Sequence, residues 1–119
     1  APKISLDSLL FDKMYGKAFI KEELYTELED SLLAVSHAQS FFNRQPYRVI
    51  VGDSEIYLVG VPDEMTGEND RLLNYGIAMF NFVAVLGSLR VEAPKWSFDT
   101  PTVNLGLPDG VCYVAKCRI

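Results

Sequence analysis

The amino-acid sequence predicts an α+β fold in which two main helices pack on a small, mostly antiparallel sheet. Three observations predict it: a run with apolar residues at helical spacing, a second run that is apolar almost all round, and short β-branched runs separated by turn residues. The 119 residues have the length of one domain and contain no internal repeat. We therefore expect residues 1–119 to form a single domain.

The first helix and a hairpin are predicted in the first half of the chain. Over residues 20–38 the apolar positions Leu24, Leu28, Leu32 and Val35 recur every three or four residues, which is the spacing of one helix face. Residues 47–51 and 55–61 are β-branched and aromatic runs on either side of a Gly-Asp-Ser turn. These two runs are expected to pair as a β-hairpin.

The second helix is predicted over residues 71–88, with Asn69 or Asp70 as its N-cap. It is apolar nearly all round, so we expect burial on more than one face and association with another chain. Gly76 lies within it at a cost of roughly 1 kcal/mol relative to Ala. We therefore expect a close backbone approach at Gly76. Short strands are predicted at residues 95–99 and 111–119.

The last strand contains both cysteines. Cys112 and Cys117 are five residues apart, which in a regular strand places them about 16 Å apart and on opposite faces. They cannot then form a disulfide with each other, and free thiols are typical of a reducing compartment. Lys116 and Arg118 share a face of this strand, either as a solvated strand edge or as an anion-binding pair.

Composition and charge exclude several classes of partner. Apolar residues make up 49% of the chain and charged residues 23%, as in an ordinary globular protein with a packed core. The net charge of −5 would repel a nucleic acid backbone. No run of 18 apolar residues and no secretory signal pattern is present in the sequence. We therefore expect a cytoplasmic protein that binds neither nucleic acid nor a membrane.

The segment between the first helix and the hairpin is the strongest candidate site. No nucleophile elbow, Walker loop or G-x-G-x-x-G motif is present, so any redox or group-transfer chemistry needs a cofactor. Ser40, Asn43, Arg44 and Gln45 place a hydroxyl, two carboxamides and a guanidinium within six residues. Such donors and acceptors suit the edge of a planar heterocycle. The alternative is a polar loop that only makes turns and caps.

Three stretches of the sequence resemble the nitroreductase family. N-R-Q-P-Y at residues 43–47 resembles the end of its A-P-S-x-x-N-x-Q-P-W segment, and N-Y-G-I-A at residues 74–78 resembles its D-x-G-I-A stretch. L-D-S-L-L-F at residues 6–11 is similar to the L-x-x-L-F start of the C-terminal half in the two-half TM nitroreductase group. The resemblance covers almost the whole chain and implies a nitroreductase-like half.

The resemblance implies an FMN-dependent oxidoreductase that moves electrons from NAD(P)H to nitro compounds, quinones or similar small aromatic acceptors. Ser40, Asn43 and Gln45 would contact the isoalloxazine and ribityl groups of FMN, with Arg44 nearby, and Gly76 would keep the second helix close to them. The family's R-x-S-x-R segment, which binds the FMN phosphate, has no counterpart near Ala1. A homodimer partner or a complementary N-terminal half would therefore complete the site.

Two other functions are consistent with the same residues. One is a cofactor-free nitroreductase-like module that serves in ligand binding or dimerisation. The other is a sensor that binds flavin as a ligand without turnover.

Overall fold

Residues 9–19, 26–36, 47–61, 68–90, 92 and 94–119 are described by the structure, a computed structural model of the chain. These residues form two helices and a five-stranded mixed, mostly antiparallel sheet, which confirms the predicted α+β fold class. In chain order the elements are β1 (Leu10–Asp12), α1 (Thr26–Ser36), β2 (Tyr47–Val51), β3 (Glu55–Gly60), α2 (Glu68–Ser88), β4 (Trp96–Ser97) and β5 (Cys112–Arg118).

The sheet has the strand order β1-β2-β3-β5-β4. The predicted hairpin is confirmed, since β2 and β3 pair in antiparallel register from Tyr47 opposite Gly60 to Val51 opposite Ile56. β1 lies parallel to β2. Parallel neighbours need a long crossover connection, and α1 lies within the one between β1 and β2. The first helix is thereby held against the sheet by the chain topology.

The main core lies between the two helices and one face of the sheet. The helices pack against each other and present apolar residues at helical spacing to the strands. A fully buried side chain of this kind contributes about 1.5–3 kcal/mol. The core side chains of the helices are Leu28, Leu32 and Val35 from α1 and Tyr75, Ala78, Phe82 and Leu86 from α2. Those of the hairpin are Tyr47, Val49, Val51, Ile56 and Leu58.

The other face of α2 is not buried by this chain. Leu72, Leu73 and Phe80 are 59, 63 and 68% exposed. Burial of this face by another chain therefore stays a prediction. The sequence shows that the face is apolar but not what covers it.

None of the helices in the described part of the chain has the length and apolarity needed to cross a lipid bilayer.

The opposite face of the sheet has a smaller core. Ile50, Tyr57 and Val59 pack there with Leu105, which comes from the segment between β4 and β5. The amide of Tyr15 donates to the carbonyl of Leu105 at 2.8 Å and fixes that segment to the turn after β1. The long Pro- and Gly-containing connection is therefore a cover for the sheet.

Both predicted helices extend over somewhat different residues in the structure. α1 occupies residues 26–36 of the predicted 20–38, and the remainder lies outside the described residues. α2 begins at Glu68, so Asn69 and Asp70 lie inside it and neither is the N-cap. Acidic residues are favourable at every position of the first helical turn, so an acidic residue in the sequence does not identify the residue at which the helix begins.

The two cysteines lie on the same face of β5, which corrects the prediction of opposite faces. Cys112 pairs with Gly60 and Cys117 with Ile56, and these two β3 residues share the face toward the helices. A bulge leaves Val114 without a partner residue in the register and shifts the alternation by one. Both thiols are free.

Lys116 lies on the face of β5 away from the helices and is not at a sheet edge. β5 lies between β3 and β4. The Lys116 ammonium is 3.7 Å from the Glu55 carboxylate, and both side chains are largely covered. The interpretation of this position as a solvated strand edge is therefore wrong.

The buried Cys117 thiol predicts a loss of stability at alkaline pH. Burial raises its pKa from 9.0 to about 11, with the Arg90 charge acting in the opposite direction. The unfolded chain releases this proton at lower pH than the folded chain, so the stabilisation is complete below pH 9 and is lost as pH rises to 11. We expect the free energy of unfolding to fall by up to about 2–3 kcal/mol over this range.

Urea unfolding at pH 8 to 11 measures this effect in Cys117→Ala and, as a matched control, in the exposed Cys112→Ala. The control should keep the wild-type pH dependence, whereas Cys117→Ala should reduce its slope between pH 9 and 11. A residual slope above pH 10 is expected from Tyr57 and Tyr113, because burial also raises the pKa of their hydroxyls. Equal slopes in the Cys117→Ala and wild-type chains would contradict the assignment.

Candidate functional site

One end of the sheet contains Tyr47, the described residue of the N-R-Q-P-Y motif. Tyr47 of β2 pairs with Gly60 of β3, which in turn pairs with Cys112 of β5. We call this the Tyr47 end of the sheet. Tyr47 is also the aromatic residue that closes the N-R-Q-P-Y motif. The motif segment therefore leads directly into this end of the sheet.

Tyr47 ties the start of β2 to the last turn of α1. Its side chain is fully buried, and its hydroxyl donates to the Val35 carbonyl at 3.3 Å. Ser36, the last residue of α1, and Tyr47, the last residue of the predicted flavin-binding segment, are both buried in packed elements. Four of the predicted cofactor-binding residues lie outside the described residues: Ser40, Asn43, Arg44 and Gln45.

The Tyr75 side chain of α2 packs closely against Gly60 of β3. A Cβ added at Gly60 would overlap the Tyr75 hydroxyl, and it would lie 2.8 Å from the Tyr75 ring and 2.9 Å from the Cys112 sulfur. Real Cβ atoms do not approach other atoms so closely, so only glycine fits here without a shift of its neighbours. A glycine inside a strand is a known signal of close approach by another group. Gly60 lies within the predicted strand at residues 55–61, and the strand pattern alone does not distinguish it.

Gly76 has no close neighbour in the described part of the chain. It is exposed on α2, and a Cβ added there would meet no heavy atom within 4 Å among the described residues. Its place beside the polar segment stays a prediction, because residues 38–46 lie outside the described residues. A helix accepts glycine on a solvent-facing position at a modest cost in free energy, so its presence alone did not indicate contact.

The residues on either side of Gly76 connect the second motif to the Tyr47 end. Asn74, Tyr75 and Ala78 are buried, whereas Gly76 is on the outward side of the helix. Tyr75 contacts Gly60, which is the cross-strand partner of Tyr47. The second motif and the last residue of the first therefore lie at the same end of the sheet.

Arg48 adds a positive charge at this end, on the face of the sheet away from the helices. It pairs with Val59, and its Nη1 donates to the Tyr47 carbonyl at 2.7 Å. Burial lowers the pKa of its guanidinium, and Tyr15 and Tyr47 act in the opposite direction. Guanidinium stays charged in proteins. Arg48 could have been singled out from the sequence, because it is a charged residue within the otherwise apolar run Y-R-V-I-V.

The described residues at the Tyr47 end are mostly buried. Tyr47, Asn74 and Tyr75 lie inside the fold, whereas the Cys112 thiol is exposed. In the described parts of the chain, no three His, Cys, Asp or Glu side chains come together as a metal site would require. The two tyrosines therefore support this end of the sheet from the inside.

No family model, curated protein or solved structure matches this chain. The resemblance to nitroreductases therefore rests on the motif residues and remains a prediction.

Alanine substitutions at Gly60 and Gly76 are expected to change the free energy of unfolding in opposite directions. Gly60→Ala should lower the free energy of unfolding by roughly 1–3 kcal/mol, because the added methyl group forces Tyr75 or Cys112 to move. Gly76→Ala should raise it by roughly 0.5–1 kcal/mol, since the methyl group meets open space and favours the helix. Urea unfolding at neutral pH measures both. A neutral Gly60→Ala would show that Tyr75 is not fixed against the strand.

Proposed function

We propose that this chain is one half of an FMN-dependent oxidoreductase of the nitroreductase type. Its reaction would move electrons from NAD(P)H to nitro compounds, quinones or similar small aromatic acceptors. The observation that supports it most is the convergence at the Tyr47 end, where Tyr75 of the N-Y-G-I-A motif contacts Gly60, the partner of Tyr47. Tyr47 and Tyr75, one residue from each stretch that resembles the family, are far apart in sequence and lie at the same end of the sheet.

The types of side chain in the motif segment fit the ring portion of FMN. Ser40, Asn43 and Gln45 offer a hydroxyl and two carboxamides, which can both donate to and accept from the edge of the isoalloxazine. Arg44 would lie nearby. FMN would supply the electron-transfer chemistry, whereas the chain would bind and orient its ring.

A second unit is part of this proposal because the resemblance implies that an R-x-S-x-R segment binds the FMN phosphate, and this sequence has no such segment. A homodimer partner or a complementary N-terminal half would provide it. The exposed apolar face of α2 supports association with such a unit, since Leu72, Leu73 and Phe80 lie together there with the exposed Gly76 and Ala84. Because this exposed face of α2 is uncharged, it does not need a partner of opposite charge, and the same face of a second copy can pack against it.

That same face favours the alternative function, a cofactor-free nitroreductase-like module that dimerises. Both functions use the α2 face, and only the first requires FMN. Flavin binding therefore separates them, and association does not.

The flavin proposal predicts that the purified chain quenches FMN fluorescence at micromolar concentration. Asn43→Ala should weaken FMN binding by about 1–3 kcal/mol, because it removes hydrogen bonds to the ring. Asn104→Ala is a matched control, since Asn104 lies in an exposed loop at the other end of the hairpin. Fluorescence titration of the three chains with FMN measures the difference.

Equal FMN affinity for the wild-type chain and Asn43→Ala would remove Asn43 from the site. No quenching by the wild-type chain would contradict a flavin site completed within a homodimer. It would favour either the cofactor-free module or a site that needs the complementary N-terminal half, and a longer chain that binds FMN would distinguish the two. Where FMN binds, oxidation of NAD(P)H in the presence of a quinone distinguishes an enzyme from a flavin-binding sensor.

Association through α2 predicts a dimer that Phe80→Glu disrupts. A carboxylate at this exposed position leaves the monomer fold intact but places two charges in the apolar interface. Phe98→Glu is a matched control, because Phe98 is equally exposed but lies outside the helix. Light scattering after size-exclusion chromatography should give a dimer for the wild type and the control and a monomer for Phe80→Glu. A monomeric wild-type chain would contradict self-association.

A further inference from the structure

A cleft with a volume of about 330 Å³ lies at the end of the hairpin opposite the Tyr47 end. Tyr47 and Gly52 are five residues apart along β2 and its turn, a distance of about 16 Å in a strand. The cleft is therefore separate from the proposed flavin site. Its volume is at the lower end of the range for small-molecule sites. The lining residues that matter for its chemistry are Lys13, Met14, Asp53, Glu55, Tyr57 and Val103.

Backbone hydrogen bonds hold the walls of the cleft in place. The Lys13 amide donates to the Val51 carbonyl at 3.0 Å, so the residues after β1 are fixed beside the hairpin turn. The third wall, residues 102–104, precedes an Asx turn in which the Gly106 amide donates to Asn104 Oδ1 at 2.9 Å. The cleft is thus formed by three segments that are distant in sequence.

Two ion pairs give the cleft a balanced charge. Inside it, the Glu55 carboxylate lies 3.7 Å from the Lys116 ammonium and accepts a hydrogen bond from the Tyr57 hydroxyl at 3.4 Å. At the rim, the Lys13 ammonium lies 3.5 Å from the Asp53 carboxylate, and these side chains are 58 and 89% exposed. Exposed pairs of this kind are weak and exchange partners easily. The rim thus offers one cation and one anion to a ligand.

The walls between the charged groups are apolar. Met14 and Val103 are large apolar side chains that this chain leaves exposed, and both line the cleft together with Tyr57. An apolar group placed there would remove these surfaces from water. The favoured ligand therefore carries both charges at one end and an apolar group at the other.

The backbone at Lys13 is an independent sign that this rim is specialised. Among the described residues, Lys13 is the one non-glycine residue with a positive φ, at 65°. A lysine rarely adopts this left-handed conformation, which is often found where a side chain is held for binding. Here the conformation occurs in the residue whose ammonium meets Asp53 at the mouth of the cleft.

We propose that this cleft binds an α-amino acid with an apolar side chain. The ligand's ammonium group would pair with Asp53, its carboxylate with Lys13, and its side chain would contact Met14 and Val103. The zwitterion replaces the weak rim ion pair with two pairs and leaves the charge of the cleft unchanged. This binding site does not depend on the proposed flavin function.

Three probes that each contain a phenyl ring test the proposal by isothermal titration calorimetry on the full chain. L-phenylalanine carries both charges, 2-phenylethylamine lacks the carboxylate, and 3-phenylpropionate lacks the ammonium group. We expect L-phenylalanine to bind at least about ten times more tightly than either analogue, as two charge-assisted contacts require. Equal affinities for the three probes, or no heat of binding with L-phenylalanine, would overturn the proposal.

Substitution of the two exposed rim residues tests which charged group of the ligand each residue binds. Lys13→Gln should reduce the affinity for L-phenylalanine about tenfold and leave the binding of 2-phenylethylamine, which has no carboxylate, unchanged. Asp53→Asn should also reduce the affinity for L-phenylalanine about tenfold, and it should leave the binding of 3-phenylpropionate, which has no ammonium group, unchanged. Asp109→Asn is a matched control, because Asp109 is an exposed carboxylate that does not line the cleft. Wild-type affinity for L-phenylalanine in both rim variants would overturn the assignment, as would an equal loss in the control.

Discussion

The close contact between Tyr75 of α2 and Gly60 of β3 is the constraint on which the arrangement of this protein depends. Because Gly60 has no side chain, the helix can lie against the end of the hairpin with Tyr75 buried between them. Gly60 pairs with Tyr47, whose hydroxyl reaches the Val35 carbonyl at the end of α1. One contact between a helix and a strand therefore links both helices and the hairpin at the end of the sheet where Tyr47 and Tyr75 lie.

Local signals in the sequence were sufficient for the main elements of the fold. The spacing of Leu28, Leu32 and Val35 predicted α1 and its buried face, and the two runs around Gly-Asp-Ser predicted the hairpin. Features that depend on distant partners were not predictable in this way. They are the parallel pairing of β1 with β2 and the bulge at Val114, which places both cysteines on one face. No local pattern in the sequence encodes a register shift between strands.

The candidate site was predicted less completely than the fold, for a physical reason. The cost of a helical glycine drew attention to Gly76, but an exposed helix position accepts glycine, and the close approach occurs at Gly60. The roles of Ser40, Asn43, Arg44 and Gln45 stay predictions, since these residues lie outside the described part of the chain. The cleft at the opposite end of the hairpin was not predictable, because three separate segments form it and none carries a motif.

The central claim is that the Tyr47 end of the sheet is the surface against which a flavin ring binds. Titration of the isotopically labelled chain with FMN, followed through assigned backbone amide resonances, tests it most directly. We expect the largest changes in amide chemical shift at Tyr47, Gly60 and Tyr75 and in the motif segment at residues 39–45, with little change at residues 52–55. Shifts confined to the turn at residues 52–55, or no shifts at saturating FMN, would contradict it.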